Sequence, residues 1–155
     1  MAHDEPSVRD LIRAYALSLE ALKARGVIRS PKVLADYAEW LSAQALGLTL
    51  VPSGSNKGYD ALDASGTRYQ IKARRLVLPY VEPNIVGLHN LDESPFDLLL
   101  GVLLDEDYAV TRAVIVPLAV VRQRATKTGL YLGSGLLSLA EVRDVTEIVR
   151  RASES

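Results

Sequence analysis

The sequence predicts an α/β fold in which a mixed central sheet of about five strands is flanked by helices and preceded by an extra N-terminal helix. Three observations support this prediction. Helical periodicity fills most of residues 7–47, the period shifts toward two from Leu48, and two apolar, β-rich runs follow at residues 96–104 and 108–116. At 155 residues the chain suits one hydrophobic core, so we expect a single domain over residues 1–155.

Two helices are predicted from their apolar stripes and their ends. Apolar residues recur at helical spacing over residues 7–25, and Gly26 offers a stop. Ser30 and Pro31 provide an N-cap and a first-turn proline for a second helix that ends near Gly47. Both segments are therefore expected to be amphipathic helices.

The remaining elements are predicted from alternation, glycine and proline. Three short strands are expected at residues 48–51, 58–63 and 68–74, followed by a long connection at 76–95 that carries three prolines. The two apolar runs are expected to form a hairpin closed by three acidic residues, 105–107. Pro117 is expected to open a helix through Arg124, residues 129–135 to form a turn or short strand, and residues 139–151 to form a final helix.

Composition excludes several classes of site. The chain has no cysteine, so it forms neither disulfides nor thiolate metal sites, and no stretch approaches the ~20 apolar residues of a membrane span. The polar, acidic N-terminus is unlike a secretory signal, so we expect a cytoplasmic protein. A net charge of −1 provides no global attraction to nucleic acid, and any such binding must come from a local patch.

The densest chemical signal lies in a predicted hairpin. Alternate residues of a strand share a face, so Gln70 and Lys72 point the same way as Arg68 and Arg74. Asp60 lies on the preceding strand, and the turn at residues 65–66 brings its carboxylate toward this face. The hairpin therefore gathers an acid, a neutral oxygen ligand and a cation.

These residues resemble the signature of the PD-(D/E)XK nuclease superfamily, which has an acid on one strand and then an acid or glutamine, any residue, and lysine on the next. Here the signature is formed by Asp60, Gln70 and Lys72. Members that resemble archaeal junction resolvases and Mrr-type restriction enzymes also carry a glutamate on the helix before the sheet, and residues 38–47 look like that helix, with Glu39 bordering its apolar stripe. The resemblance implies a restriction endonuclease-like sheet.

The resemblance also implies a function. A nuclease of this class hydrolyses phosphodiesters with Mg²⁺ or Mn²⁺, which oxygen ligands select. Glu39, Asp60 and Gln70 are then the metal ligands, and Lys72 orients the attacking water or stabilises the developing charge. Residues expected to hold phosphates of a nucleic acid, most simply DNA, are Lys57, Arg68, Arg74 and Arg75.

Two function classes remain open at this point. Glutamine replaces the second acid at position 70, and Tyr59 rather than proline precedes Asp60. The chain is either a metal-dependent nuclease or a catalytically inactive module of the same fold that binds nucleic acid or a protein partner, and a homodimer is compatible with both. For a nuclease, we expect Glu39, Asp60, Gln70 and Lys72 to converge on one cleft at an edge of the sheet.

Overall fold

A computed structural model describes residues 4–52 and 58–154 and gives a mixed α/β architecture. The helices are α1 (Val8–Ala24), α2 (Val33–Leu46), α3 (Leu118–Arg124), α4 (Ser134–Leu137) and α5 (Thr146–Ala152), with a 3-10 turn at Leu91–Glu93. The strands are β1 (Thr49–Leu50), β2 (Ala61–Leu62), β3 (Arg68–Arg75), β4 (Asn84–Ile85), β5 (Leu98–Leu104), β6 (Val110–Pro117), β7 (Leu130–Tyr131) and β8 (Arg143–Asp144).

Six of these strands form the main sheet, in the order β1-β2-β3-β5-β6-β8. Neighbouring strands are antiparallel except β3 and β5, which are parallel and are joined by the long connection over residues 76–97. Part of this connection, β4, pairs with β7 in a separate two-stranded sheet. The crossover therefore passes over one face of the main sheet.

Each face of the main sheet carries its own apolar core. On one face α2 and α5 pack against alternate residues of β3, β5 and β6, including Ile71 and Val102. On the other face α3, α4 and the β4–β7 sheet cover Leu99 and Val114. Because β5 is covered on both sides, its sequence is a continuous apolar run rather than an alternating one.

Several sequence predictions are confirmed. The first helix, the β5–β6 hairpin and the helix that follows Pro117 lie where the sequence places them. The general α/β class and the mixed sheet are also confirmed, although the main sheet has six strands rather than about five because β8 adds to β6 at its far side.

Two helix predictions are wrong in their limits. The second helix begins at Val33, with Lys32 rather than Ser30 at the N-cap, because Ser30 instead donates its backbone N–H and hydroxyl to Asp36. The final helix covers only Thr146–Ala152 rather than residues 139–151, since β8 occupies Arg143–Asp144 within the predicted span.

None of the described helices is both long and apolar enough to cross a membrane.

Candidate functional site

The candidate site lies where β2 and β3 separate. In the described part of the chain β2 pairs with β3 only at Arg68 and Tyr69, so the second half of β3 has a local free edge on that side. Asp60, which directly precedes β2, caps this edge with its side chain. Its Oδ2 accepts hydrogen bonds from the backbone N–H of Ile71 at 2.7 Å and from Nε2 of Gln70 at 3.0 Å.

Helix α2 brings a second carboxylate to the same place. The side chain of Glu39 is only 16% exposed, and its Oε2 accepts a hydrogen bond from Nη2 of Arg29 at 3.0 Å. Arg29 also donates from Nη1 to the carbonyl oxygen of Val51 at 3.0 Å. Arg29 is therefore a cation of this site, and sequence reasoning did not find it.

Burial raises the pKa values of both acids, and for Glu39 the nearby charge of Asp60 adds to the effect. Burial raises the pKa of the Asp60 carboxyl, against smaller lowering effects from the Ile71 hydrogen bond and the charges of Lys72 and Arg29. Burial also raises the pKa of Glu39, the charge of Asp60 adds to that increase, and Arg29 opposes it. The site thus holds two partly buried carboxyl groups whose charged forms are disfavoured chiefly by loss of solvent.

One cavity of about 570 Å³ is lined by all four residues of the predicted site. Glu39 and Asp60 lie on its walls together with Gln70 and Lys72, and Gly87 of the crossover closes the other side. The structure therefore brings the four side chains together from α2, the start of β2, and β3, beside the local edge of β3.

Two lysines, Lys32 and Lys72, line this cavity, and Lys72 lies on the same strand face as Gln70. The ammonium group of Lys72 lies against the backbone of the crossover at Gly87. Its Nζ is 3.4 Å from the position that a Cβ atom would occupy if residue 87 had a side chain. Within residues 4–52 and 58–154 no hydrogen bond or ion pair involves this ammonium. Its donors are consequently available to an anion in the cavity.

A second cavity, of about 420 Å³, adjoins the first at the same strand residues. Gln70 and Lys72 line both cavities, as does Gly87. The second cavity is also lined by polar residues of the crossover, among them His89 and Asn90. A molecule that contacts Lys72 therefore has space in both cavities.

The predicted phosphate-binding arginines each have an internal partner. Arg68 makes a two-point contact to Asp97, with Nη2 to Oδ1 at 3.1 Å and Nε to Oδ2 at 3.2 Å. Arg74 donates to the side chain and backbone oxygens of Asn84. Arg75 is on the opposite face, where it donates to the carbonyl of Glu106 and lies 4.6 Å from the ring centroid of Tyr108. Lys57 lies outside the described residues.

A buried acid positions Arg29. Oδ2 of Asp36 accepts three hydrogen bonds, from the backbone N–H of Arg29 at 2.8 Å and from the backbone N–H and hydroxyl of Ser30 at 2.7 and 2.9 Å. These bonds fix the segment between α1 and α2 against the first turn of α2. The arginine side chain is thereby held beside Glu39.

Removing this acid should destabilise the fold measurably. Asp36→Ala is expected to lower the free energy of unfolding by about 2–3 kcal/mol, because two backbone donors and a hydroxyl lose their acceptor. Urea unfolding followed by circular dichroism measures the change. The control Asp36→Asn keeps one acceptor oxygen and should lose about 1 kcal/mol; an Asp36→Ala midpoint equal to wild type would contradict the assigned role.

The comparisons with known proteins identify no family for this chain: no protein-family model matches it, and no curated protein matches it significantly. Among the described residues no group of three or more histidine, cysteine or acidic side chains is arranged to hold a metal ion. Glu39 and Asp60 form a pair, and the third oxygen donor in their cavity is the amide of Gln70.

Proposed function

We propose that the chain is a PD-(D/E)XK nuclease-like domain with a restriction endonuclease-like sheet, and that it hydrolyses phosphodiester bonds of nucleic acid with Mg²⁺ or Mn²⁺. The observation that carries the proposal is that Glu39, Asp60, Gln70 and Lys72 line one cavity. The order of elements adds support, since α2, then β1 to β3, then further strands in a mixed sheet is the order that the resemblance implies.

The donor set of the cavity fits a hard divalent cation. Two carboxylates and an amide supply oxygen atoms, which Mg²⁺ and Mn²⁺ prefer. Burial is the main cause of the raised pKa values of Asp60 and Glu39, and a bound cation would stabilise the charged forms that burial disfavours. A divalent ion held by Glu39, Asp60 and Gln70 would polarise a phosphoryl oxygen and provide hydroxide near neutral pH. A third carboxylate is missing, so the affinity for the ion is moderate.

Lys72 acts on the phosphate in this proposal. Its ammonium group lies in the same cavity as the two acids and has no internal hydrogen-bond acceptor in the described part of the chain. A scissile phosphate placed there accepts one or more hydrogen bonds from the ammonium group of Lys72. These hydrogen bonds stabilise the negative charge that develops on the phosphoryl oxygens. Lys72 therefore serves as the electrostatic catalyst of the site.

The second cavity extends the binding site for the substrate. It begins at Gln70 and Lys72 and runs along Arg68, His89 and Asn90. With a phosphate at Lys72, an adjacent nucleotide occupies this cavity. Arg68 and Arg74 each retain N–H donors beyond their bonds to Asp97 and Asn84, and these donors serve flanking phosphates.

A non-catalytic module that binds nucleic acid or a protein partner is the second candidate function. It is favoured by the internal contacts of the acids, since Gln70 donates to Asp60 and Arg29 pairs with Glu39. In such a module these bonds keep the fold of the site, and Lys72 binds an anion without hydrolysing it.

Manganese binding and hydrolysis are the tests of the proposal. Manganese should raise the melting temperature of the protein and support cleavage of labelled DNA or RNA oligonucleotides, and a chelator should reverse both. Asp60→Ala should lose both effects, whereas Glu106→Ala, which removes an exposed acid at the β5–β6 turn, should keep them. A melting shift that persists in Asp60→Ala would overturn the metal site. Oligonucleotide binding without cleavage would select the binding module.

Manganese affinity should depend on pH in a defined direction. The ion binds carboxylates and not carboxylic acids, and the folded protein holds the pKa values of Glu39 and Asp60 above their ordinary range near 4. Protons therefore begin to compete at a higher pH than for exposed carboxyls, and affinity falls as pH decreases through that raised range. Calorimetric titration across the acid range, in buffers of different ionisation enthalpy, measures the affinity and the protons released. A constant affinity down to about pH 4 would contradict the coupling.

A further inference from the structure

Helix α1 is an amphipathic helix that contributes no residue to either apolar core of the described chain; its apolar stripe is exposed at Val8, Ile12 and Tyr15 and partly buried at Leu19 and Leu22. It begins with a capping box between Ser7 and Asp10, and none of its 17 residues is buried. Val8 is 79% exposed and Tyr15 61% exposed, although both belong to the apolar stripe. An isolated helix of this length is marginal in water, so the stripe requires a cover.

The spacing of the stripe indicates what covers it. Its central residues follow one another at intervals of four, three, four and three positions, which is the heptad spacing of a coiled coil: Val8, Ile12, Tyr15, Leu19 and Leu22. Leu11, 55% exposed, widens the stripe on one side. This pattern is typical of a seam between two parallel or antiparallel helices.

We propose that α1 pairs with α1 of a second copy of this chain, in antiparallel orientation, with Tyr15 near the two-fold axis. The surface is separate from the proposed nuclease site, and the proposal is independent of whether that site hydrolyses anything. A two-fold symmetric dimer buries the apolar stripes of both copies at once, because each copy uses the same surface.

Charge along the segment selects the antiparallel orientation. Before Tyr15 the segment has three acids and two bases, a net charge of −1, and after Tyr15 it has one acid and two bases, a net charge of +1: Asp4, Glu5, Arg9, Asp10 and Arg13, then Glu20, Lys23 and Arg25. Antiparallel pairing centred on Tyr15 places the acidic start of one segment beside the basic end of the other. Parallel pairing would place like charges together and align the two helix dipoles. The antiparallel dimer is therefore the arrangement with complementary charge.

The size of the contact sets the expected strength. A helix of 17 residues is about 25 Å long, and the seam supplies five apolar residues from each copy. Stable interfaces of standard size use roughly 20–30 residues from each partner, so the α1 pair is at the small end. We expect a reversible dimer with a dissociation constant in the range of about 1–100 μM.

Analytical ultracentrifugation of the full chain tests the association. The wild type should shift from monomer to dimer over about 1–300 μM protein, and Ile12→Glu, in the middle of the seam, should raise the dissociation constant at least tenfold. Leu17→Glu is the matched control, because Leu17 is 59% exposed but lies on the opposite face of the helix. A wild type that stays monomeric, or a Leu17→Glu variant weakened as strongly as Ile12→Glu, would overturn the proposal.

Single cysteines test the orientation, since the chain has none of its own. Under mild oxidation Tyr15→Cys should form a disulfide-linked dimer, whereas Val8→Cys should not, because two copies of residue 8 lie about 20 Å apart in the antiparallel pair. If both variants form disulfide-linked dimers, the two helices are parallel. If neither variant does, α1 is not the dimer interface. Circular dichroism of each reduced variant checks that α1 remains helical.

Discussion

Replacing Lys72 by alanine is expected to lower kcat/KM for manganese-dependent phosphodiester hydrolysis by about 10²- to 10³-fold, the cost of losing one preorganised charge-stabilising donor. The manganese affinity of the same variant should not fall, because Lys72 contributes a positive charge near Asp60 rather than a ligand. Single-turnover cleavage of a labelled oligonucleotide gives the rate, and calorimetric titration gives the affinity. Loss of rate with retained metal binding is the specific signature of an electrostatic catalyst.

Two further variants make this result interpretable. Lys72→Arg keeps a positive charge but presents a larger planar group, so it should recover only part of the rate. Arg151→Ala removes one cation from the surface of α5, where Arg151 pairs with Glu147, and should cleave like wild type. Equal rates for Lys72→Ala and wild type, at equal metal occupancy, would remove Lys72 from the chemistry.

The elements that local sequence determines are those that the sequence predicts best. Pro117 has no backbone N–H to donate to a neighbouring strand, so β6 ends there and α3 begins at the next residue. The apolar runs of β5 and β6 are joined by a short acidic turn, in which Asp105 accepts backbone hydrogen bonds from Asp107 and Ala109. Signals of this kind act within a few residues, so they are visible without the fold.

The elements that depend on distant partners are those that the sequence misplaces. Val142, Val145 and Val149 have nearly helical spacing, which predicts one helix over residues 139–151. The segment instead leaves the helical path to pair Arg143–Asp144 with β6, and the helix starts again at Thr146. The pairing partner lies about 30 residues away in the sequence, where a local pattern carries no information about it.

The candidate site also has a part that local sequence predicts and a part that depends on distant contacts. The types and order of Glu39, Asp60, Gln70 and Lys72 are readable from the sequence, because strand alternation and helix periodicity assign each a face. Their arrangement around one cavity depends on the packing of α2 beside β3. Arg29 has no regular spacing from Glu39 in the sequence. Their contact depends on the segment that Asp36 holds in place, so no local pattern indicates it.

Gln70 is the residue at which this site differs most from a three-carboxylate metal site. Its Nε2 donates to Oδ2 of Asp60 at 3.0 Å, so the amide stabilises the carboxylate through a hydrogen bond. A glutamate at this position would replace that donor with a second negative charge at hydrogen-bond distance. The metal-free Gln70→Glu variant should consequently melt at a lower temperature than wild type near neutral pH.

The same substitution should raise the affinity for manganese about tenfold. One unit charge at 4 Å from another has a gross interaction of about 4 kcal/mol at an effective dielectric constant of 20. The new carboxylate must lose hydration, and pairing with Lys72 competes with the ion, which leaves roughly 1–2 kcal/mol of net gain. Calorimetric titration of wild type and Gln70→Glu with manganese measures the difference directly.

The matched control separates a ligand from a distant charge. Gln44→Glu adds the same charge at an exposed position of α2, and its affinity for manganese should stay within about twofold of wild type, because separated surface charges are screened by salt. If Gln70→Glu also binds manganese like wild type, Gln70 does not contact the ion, because an added carboxylate among its ligands would strengthen binding. Gln70 and Lys72 on β3 would then stabilise the fold and bind an anion rather than a metal ion. The non-catalytic binding module would become the better explanation of the site.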